Sequence, residues 1–113
     1  MSTNNNIELI SPVEAFYQRI QHDPEQLCFI QPRAEGRTDE FNWSRVNQEV
    51  RCMAAYLQSL ALPPQSHIAL FSKNCAHWMM ADMAIWMAGH VSVPLYPILS
   101  ADTIQQILQH SDC

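Results

Sequence analysis

Residues 67–95 constrain the fold more than any other stretch of the chain. His67-Ile68-Ala69-Leu70-Phe71-Ser72 is a mostly continuous apolar run of strand length, the pattern of a strand buried on both faces. Val91-Ser92-Val93-Pro94-Leu95 is a second such run, and Pro94, which has no N–H for a ladder, places it near a sheet edge or near its own end. Between them, ten of the eleven residues 78–88 are apolar. A helix of that composition is hydrophobic all round and is expected to be buried on most sides. Asn74 stands as its N-cap, the helix runs from about Cys75 to Ala88, and Gly89 follows where a left-handed residue is wanted. The 29 residues from 67 to 95 approach the ~30 of a right-handed β-α-β unit.

The flanking segments extend this α/β pattern into a partial open sheet with a short N-terminal β-hairpin. Ser11-Pro12-Val13-Glu14 is a helix start with a capping Ser, a tolerated Pro and a Glu that reaches back. Val13, Phe16, Tyr17 and Ile20 continue it at helical spacing, which predicts a helix over 12–22 before Pro24. Residues 27–31 and 38–41 are two short strands, and Gly36 between them fits a hairpin turn. Trp43, Val46, Val50, Met53, Ala54, Leu57 and Leu60 mark one face of a second helix, capped by Asn42 and ended by Pro63-Pro64. Ser100 opens a last helix, with Asp102 in its first turn and Ile104, Ile107 and Leu108 as its apolar stripe.

Composition excludes several function classes. At 113 residues the chain is one domain. Six basic residues against eleven acidic give a net charge of −5 with no basic run, which argues against nucleic acid as a partner. Only two glycines occur, Gly36 and Gly89, so neither a dinucleotide fingerprint nor a triphosphate-binding loop can be present. The polar, uncharged N-terminus is no signal peptide, and the eleven-residue apolar stretch falls short of the roughly 20 of a membrane span. Cys28, Cys52, Cys75 and Cys113 are widely spaced, and without a secretory signal they read as reduced thiols of the cytoplasm.

Few side chains suggest chemistry, and each has a plainer explanation. Cys75-Ala76-His77 with His90, His110 and Cys113 offers one irregular pair, whereas zinc ligands come in close pairs from two places, so no metal site is assigned. Cys75 at a helix start is a candidate nucleophile, but inert packing is the commoner role there. Met79, Met80, Met83 and Met87 beside Trp78 and Trp86 either line an acyl or partner groove or are plain core, the commoner case. Asp82 in their midst must find a partner or face outward, because a buried unpaired carboxylate is costly. Tyr96 and Pro97 lie just past a strand end, where open α/β sheets place ligands, but Pro-x-x-Pro is usually a rigid turn and neither is named as a site.

From Phe41 to Asp112, about two thirds of the chain, the wording resembles the N-terminal part of the adenylate-forming, AMP-binding synthetases, nearest to long-chain fatty-acid–CoA ligases. The matching features are Phe41-Asn42-Trp43 with Val46, Val50, Ala54 and Leu57, then Ile68-Ala69-Leu70, Ser72-x-Asn74-x-x-x-Trp78 and Ala81-Asp82-Met83-Ala84. The most specific is Ala88-Gly89-x-Val91-x-Val93-Pro94-Leu95-Tyr96-Pro97, followed by Thr103-Ile104-x-x-Ile107-Leu108. Arg45 and His77 stand where the family often has Glu, and His90 where a small residue is common.

The resemblance implies a two-step reaction. A fatty acid and ATP give an acyl-adenylate and pyrophosphate, and coenzyme A then displaces AMP to give the thioester, with Mg²⁺ neutralising the phosphates. The family's phosphate loop, acidic residues and mobile-domain lysine have no counterparts here, where Lys73 is the only lysine. The implied unit is one truncated N-terminal subdomain: a flexible tail over 1–10, a helix plus hairpin over 11–41 and an α/β part over 42–113. It is expected to bind no cofactor, to be inactive alone, and to partner the remainder of the AMP-binding domain. Peripheral membrane contact stays open. The alternative is a stand-alone α/β binding or interaction module without catalysis.

Overall fold

In the computed structural model, which describes residues 9–113, the chain runs α1 (Pro12–His22), β1 (Leu27–Pro32), β2 (Thr38–Asn42), α2 (Trp43–Ser59), β3 (His67–Phe71), α3 (Ala76–Met87), β4 (Val91–Leu95) and α4 (Ala101–Ser111). β1 and β2 pair antiparallel and β3 and β4 pair parallel, as two separate two-stranded sheets. The expected hairpin and β-α-β unit are therefore both present. The tail expected over residues 1–10 lies outside the described residues except for Leu9 and Ile10, both exposed.

Three helices start where local chemistry places them. Ser11 Oγ accepts the Glu14 N–H at 3.2 Å, Asn42 Oδ1 the Arg45 N–H at 2.8 Å, and Ser100 Oγ the Thr103 N–H at 3.2 Å. Each side chain satisfies a donor that the first helical turn leaves orphaned. The hairpin closes through one tight turn, Ala34–Gly36, in which Glu35 and Gly36 both take left-handed conformations, at φ 62° and 70°. Its register sets Phe29 opposite Phe41 and Gln31 opposite Asp39, with an irregularity between Leu27 and Phe29.

The core lies where α1, the hairpin, α2 and α3 meet. Phe16, Phe41, Val46, Val50, Ala54, Ala76, Met80 and Ala84 form one buried cluster, with Trp43, Met53, Met83 and Met87 packed partly against it. Phe41 and Val50 are completely buried. The 3- and 4-residue spacing of Val46, Val50 and Ala54 turns one face of α2 onto this cluster.

Four expectations need correction. Pro63-Pro64 does not end α2. The helix stops at Ser59, Leu60 is its exposed C-cap, and Ala61 turns left-handed at φ 52°. Asn74 does not cap α3. Cys75 holds the N-cap position and makes no side-chain cap, and the Ala76 N–H is instead taken by Gln31 Oε1 of β1 at 2.8 Å. β3 is not buried on both faces: its three central residues are half-buried, and His67 and Phe71 are exposed. Nor is α3 buried on most sides, since Met79 and Trp86 remain exposed at 50 % and 40 %. The last two share a cause. Among the described residues the parallel sheet has two strands, and much of the apolar surface of β3 and α3 has nothing against it.

The end of α3 is built as expected. Gly89 takes φ 85°, its N–H bonds the Trp86 carbonyl at 3.0 Å, and the His90 N–H bonds the Ile85 carbonyl at 3.0 Å. This is a Schellman motif, in which the residue after the cap must be left-handed. The chain then enters β4, paired from His67↔Val91 to Phe71↔Leu95. His90 is buried, and its Nδ1 accepts the Ser66 N–H at 3.2 Å, which ties the start of β3 to the start of β4. His67 Nδ1 meets the Ser111 carbonyl, so the last turn of α4 sits beside the start of β3.

Candidate functional site

Because β3 and β4 are parallel and in register, their carboxyl ends lie side by side at Phe71 and Leu95. The segments leaving them, together with Trp78 on the first turn of α3, enclose a cavity of about 460 Å³ lined by Ser72, Asn74, Trp78, Pro94, Leu95, Tyr96 and Pro97. Open α/β sheets bind ligands at this end of their strands. The polar groups offered are a hydroxyl, an amide, an indole N–H and a phenol, and Ser72 Oγ donates to the Lys73 carbonyl at 3.0 Å. No carboxylate lines it.

The first turn of α3, which forms one wall, is held from outside itself. Gln31 Oε1 accepts the Ala76 N–H. His77 Nε2 lies 3.0 Å from Glu49 Oε2 of α2, and its ring stands edge-on to Phe41 with centroids 5.6 Å apart. His77 therefore links α3 to α2 and β2, where a Glu at the same position would repel Glu49.

The other titratable candidates are scattered. Cys75 is half-buried at the N-cap of α3, His90 faces Ser66, and His110 is exposed on α4. Cys113 Sγ lies 3.3 Å from Ser111 Oγ. Among the described residues, no three His, Cys, Asp or Glu side chains converge to hold a metal ion. The methionines divide: Met80 is in the core, Met83 and Met87 pack partly against it, and Met79 is exposed. Trp78 faces the strand-end cavity. The Asp82 side chain is half-buried and, among the described residues, forms neither a hydrogen bond nor an ion pair. Burial pushes the Cys28 thiol above its ordinary pKa.

Tyr96 and Pro97, set aside on sequence grounds, do line the cavity, and Ser72, Asn74 and Trp78 join them across 18 to 25 residues of chain. The Ser-x-Asn-x-x-x-Trp spacing was the available signal, since it sets one side chain on a loop and another on the following helix turn.

A second concavity was not foreseen. Cys52, Met53, Tyr56 and Leu57 of α2, Ile68, Ala69 and Leu70 of β3, and Ala81, Ala84 and Ile85 of α3 line an open groove of about 420 Å³. It is almost wholly apolar, the kind of surface that another part of a protein covers.

Comparison with known proteins points to one family, whose similar members include fatty acyl-CoA ligases and also a linear gramicidin synthase subunit of Brevibacillus parabrevis, 24 % identical over 87 % of this chain and 2 % of that protein. The model of the AMP-binding enzyme family matches residues 16–113. A long-chain-fatty-acid–CoA ligase of Mycobacterium bovis is 26 % identical over 96 residues, which covers 85 % of this chain and 16 % of that protein. Fatty acyl-CoA synthetase A of Dictyostelium discoideum is 29 % identical over 82 residues, covering 70 % of this chain and 12 % of the relative. Among solved structures, a fatty acyl-adenylate ligase from L. pneumophila, in complex with acyl adenylate and pyrophosphate, superposes with a TM-score of 0.80 at 23 % identity, over 88 % of this chain and 18 % of that one. At that identity the likeness is one of fold. The chain spans less than a fifth of the length of each.

Proposed function

Since the chain belongs to the AMP-binding enzyme family, we propose that it is the N-terminal scaffold portion of an ATP-dependent acyl-CoA synthetase acting on a fatty acid. In that reaction a carboxylate oxygen attacks the α-phosphorus of ATP, releasing pyrophosphate and forming an acyl-adenylate. The coenzyme A thiol then attacks the acyl carbon, AMP leaves, and a thioester results. The observation that carries this reading is the family match across nearly the whole described chain, and relatives named as fatty acyl-CoA synthetases supply the substrate class.

The residues present do not fit the nucleotide or its Mg²⁺. The strand-end cavity offers no carboxylate for a divalent cation. Neither glycine is available for a phosphate cradle, because Gly36 closes the hairpin and Gly89 ends α3. No chemical step is therefore assigned to these residues. Their role is to build the strand ends and the core beneath them. The groove of α2, β3 and α3 is the surface on which the rest of an AMP-binding domain rests, and that remainder carries the phosphate loop and the catalytic groups. The cytoplasm is the proposed compartment, on the strength of four unpaired cysteines. No helix of the described residues is long and apolar enough to cross a membrane.

The reading frame after the Cys113 codon tests this proposal. A Ser/Thr/Gly-rich loop followed by Pro-Lys within the next ~100 residues, the position that the family resemblance implies, is the expected result. A stop codon with no such loop would sink it. The second reading, a stand-alone interaction module, draws on the same groove as a surface for a separate partner. Light scattering separates the two: a stable monomer with a cooperative melt favours the module, and self-association favours the scaffold.

A further inference from the structure

Gln31 has an unusual position for a hairpin residue. It lies on β1, opposite Asp39, and 45 residues separate it from the helix end it serves. Its Oε1 accepts the Ala76 N–H at 2.8 Å while its Nε2 donates to the Pro32 carbonyl at 3.2 Å, so both ends of the amide are engaged. That fixes which end faces α3. The helix has no cap of its own, because Cys75 makes no side-chain bond there. Ala76 sits between Asn74 and Trp78, both of which line the strand-end cavity.

We propose that Gln31 is a positioning residue for the strand-end cavity. It caps α3 in trans and so sets the wall formed by Ser72, Asn74 and Trp78. The hairpin is then a brace for that wall as well as a cover for the core. An orphaned N–H in a part-buried helix start is costly, so loss of the acceptor releases the first turn and the loop leading into it. The inference depends on the proposed function in one respect only, that the strand-end cavity is the ligand-facing side of the fold.

The test is hydrogen exchange read by mass spectrometry on the whole chain at micromolar concentration. It compares a peptide covering residues 73–79 with one covering 46–54 in the core of α2. Gln31→Leu is expected to speed exchange in 73–79 by about fivefold, the usual loss of a cap, and to leave 46–54 unchanged. Gln31→Glu keeps an acceptor oxygen and adds negative charge at a helix N-terminus, so it is expected to restore protection in 73–79. Unchanged exchange in 73–79 for Gln31→Leu, or a rise spread equally over both peptides, overturns the proposal. Failure of Gln31→Glu to restore protection does so too. No substrate takes part, so these outcomes are independent of whether the chain belongs to a fatty acyl-CoA synthetase.

Discussion

Ala61 and Gly89 both follow the end of a helix in the left-handed region, at φ 52° and 85°. Only Gly occupies that region without a clash of its Cβ with the backbone. Ala61→Gly relieves that clash and loses part of the gain to the greater freedom of the unfolded chain. It is expected to raise unfolding free energy by about 0.5 kcal/mol. Gly89→Ala introduces the clash, while an added Cβ meets nothing within 4 Å. It is expected to lower stability by about 1 kcal/mol through conformation alone. Urea denaturation of the two variants measures both. The thiols give a separate check. Cys28 is half-buried with a raised pKa, and Cys52 and Cys113 are exposed. Alkylation near neutral pH should therefore be fast at Cys52 and Cys113 and slow at Cys28. Because the folded state raises this pKa, the stability associated with the neutral Cys28 thiol is complete below the thiol's unfolded value. It is lost as pH rises through the folded one. Residue by residue, caps were legible in the sequence when the acceptor lay three positions from its donor, as at Ser11, Asn42 and Ser100. Gln31 was not, because nothing in local spacing brings it to Ala76.

Each regular element stands close to where periodicity placed it, and the departures are the cap and burial of α3, the burial of β3 and the stop of α2. The core follows from α2, whose face of Val46, Val50 and Ala54 meets Phe41 of the hairpin and Met80 of α3. Phe41→Ala is expected to cost about 3–5 kcal/mol, since a completely buried ring leaves a cavity. Phe71→Ala on β3, where the ring is 55 % exposed, is expected to cost less than about 1 kcal/mol in this chain. Equal losses in a denaturation experiment would contradict the core described here. Burial of α3 and β3 was overestimated for a physical reason. An apolar composition reports hydrophobicity and not the partners a fold provides, and within residues 9–113 Met79, Trp86 and Phe71 stay exposed. The cavity was legible only in part, because it joins loops after two different strands, and which strand ends adjoin is a property of topology.

The molecule as a whole is more open than a closed domain. Its radius of gyration is 17.0 Å, against about 13 Å for a compact domain of this length. Two two-stranded sheets, an apolar groove and a helix α4 without a single fully buried residue account for the difference. The groove predicts binding of a hydrophobic dye such as ANS at neutral pH and concentration-dependent self-association, checked by fluorescence and light scattering. Absence of both would argue for a self-sufficient module. Family and fold were legible in the motif run from Phe41 to Leu108, because packing motifs are local in sequence. Catalytic groups were not legible there, and the proposed function places them outside residues 9–113. ATP–pyrophosphate exchange in the presence of a fatty acid tests that claim most directly. Residues 1–113 alone are expected to give exchange no higher than background, and the product of the whole reading frame that contains them to give fatty-acid-dependent exchange. Exchange by residues 1–113 on their own, or none by the longer product, would contradict it.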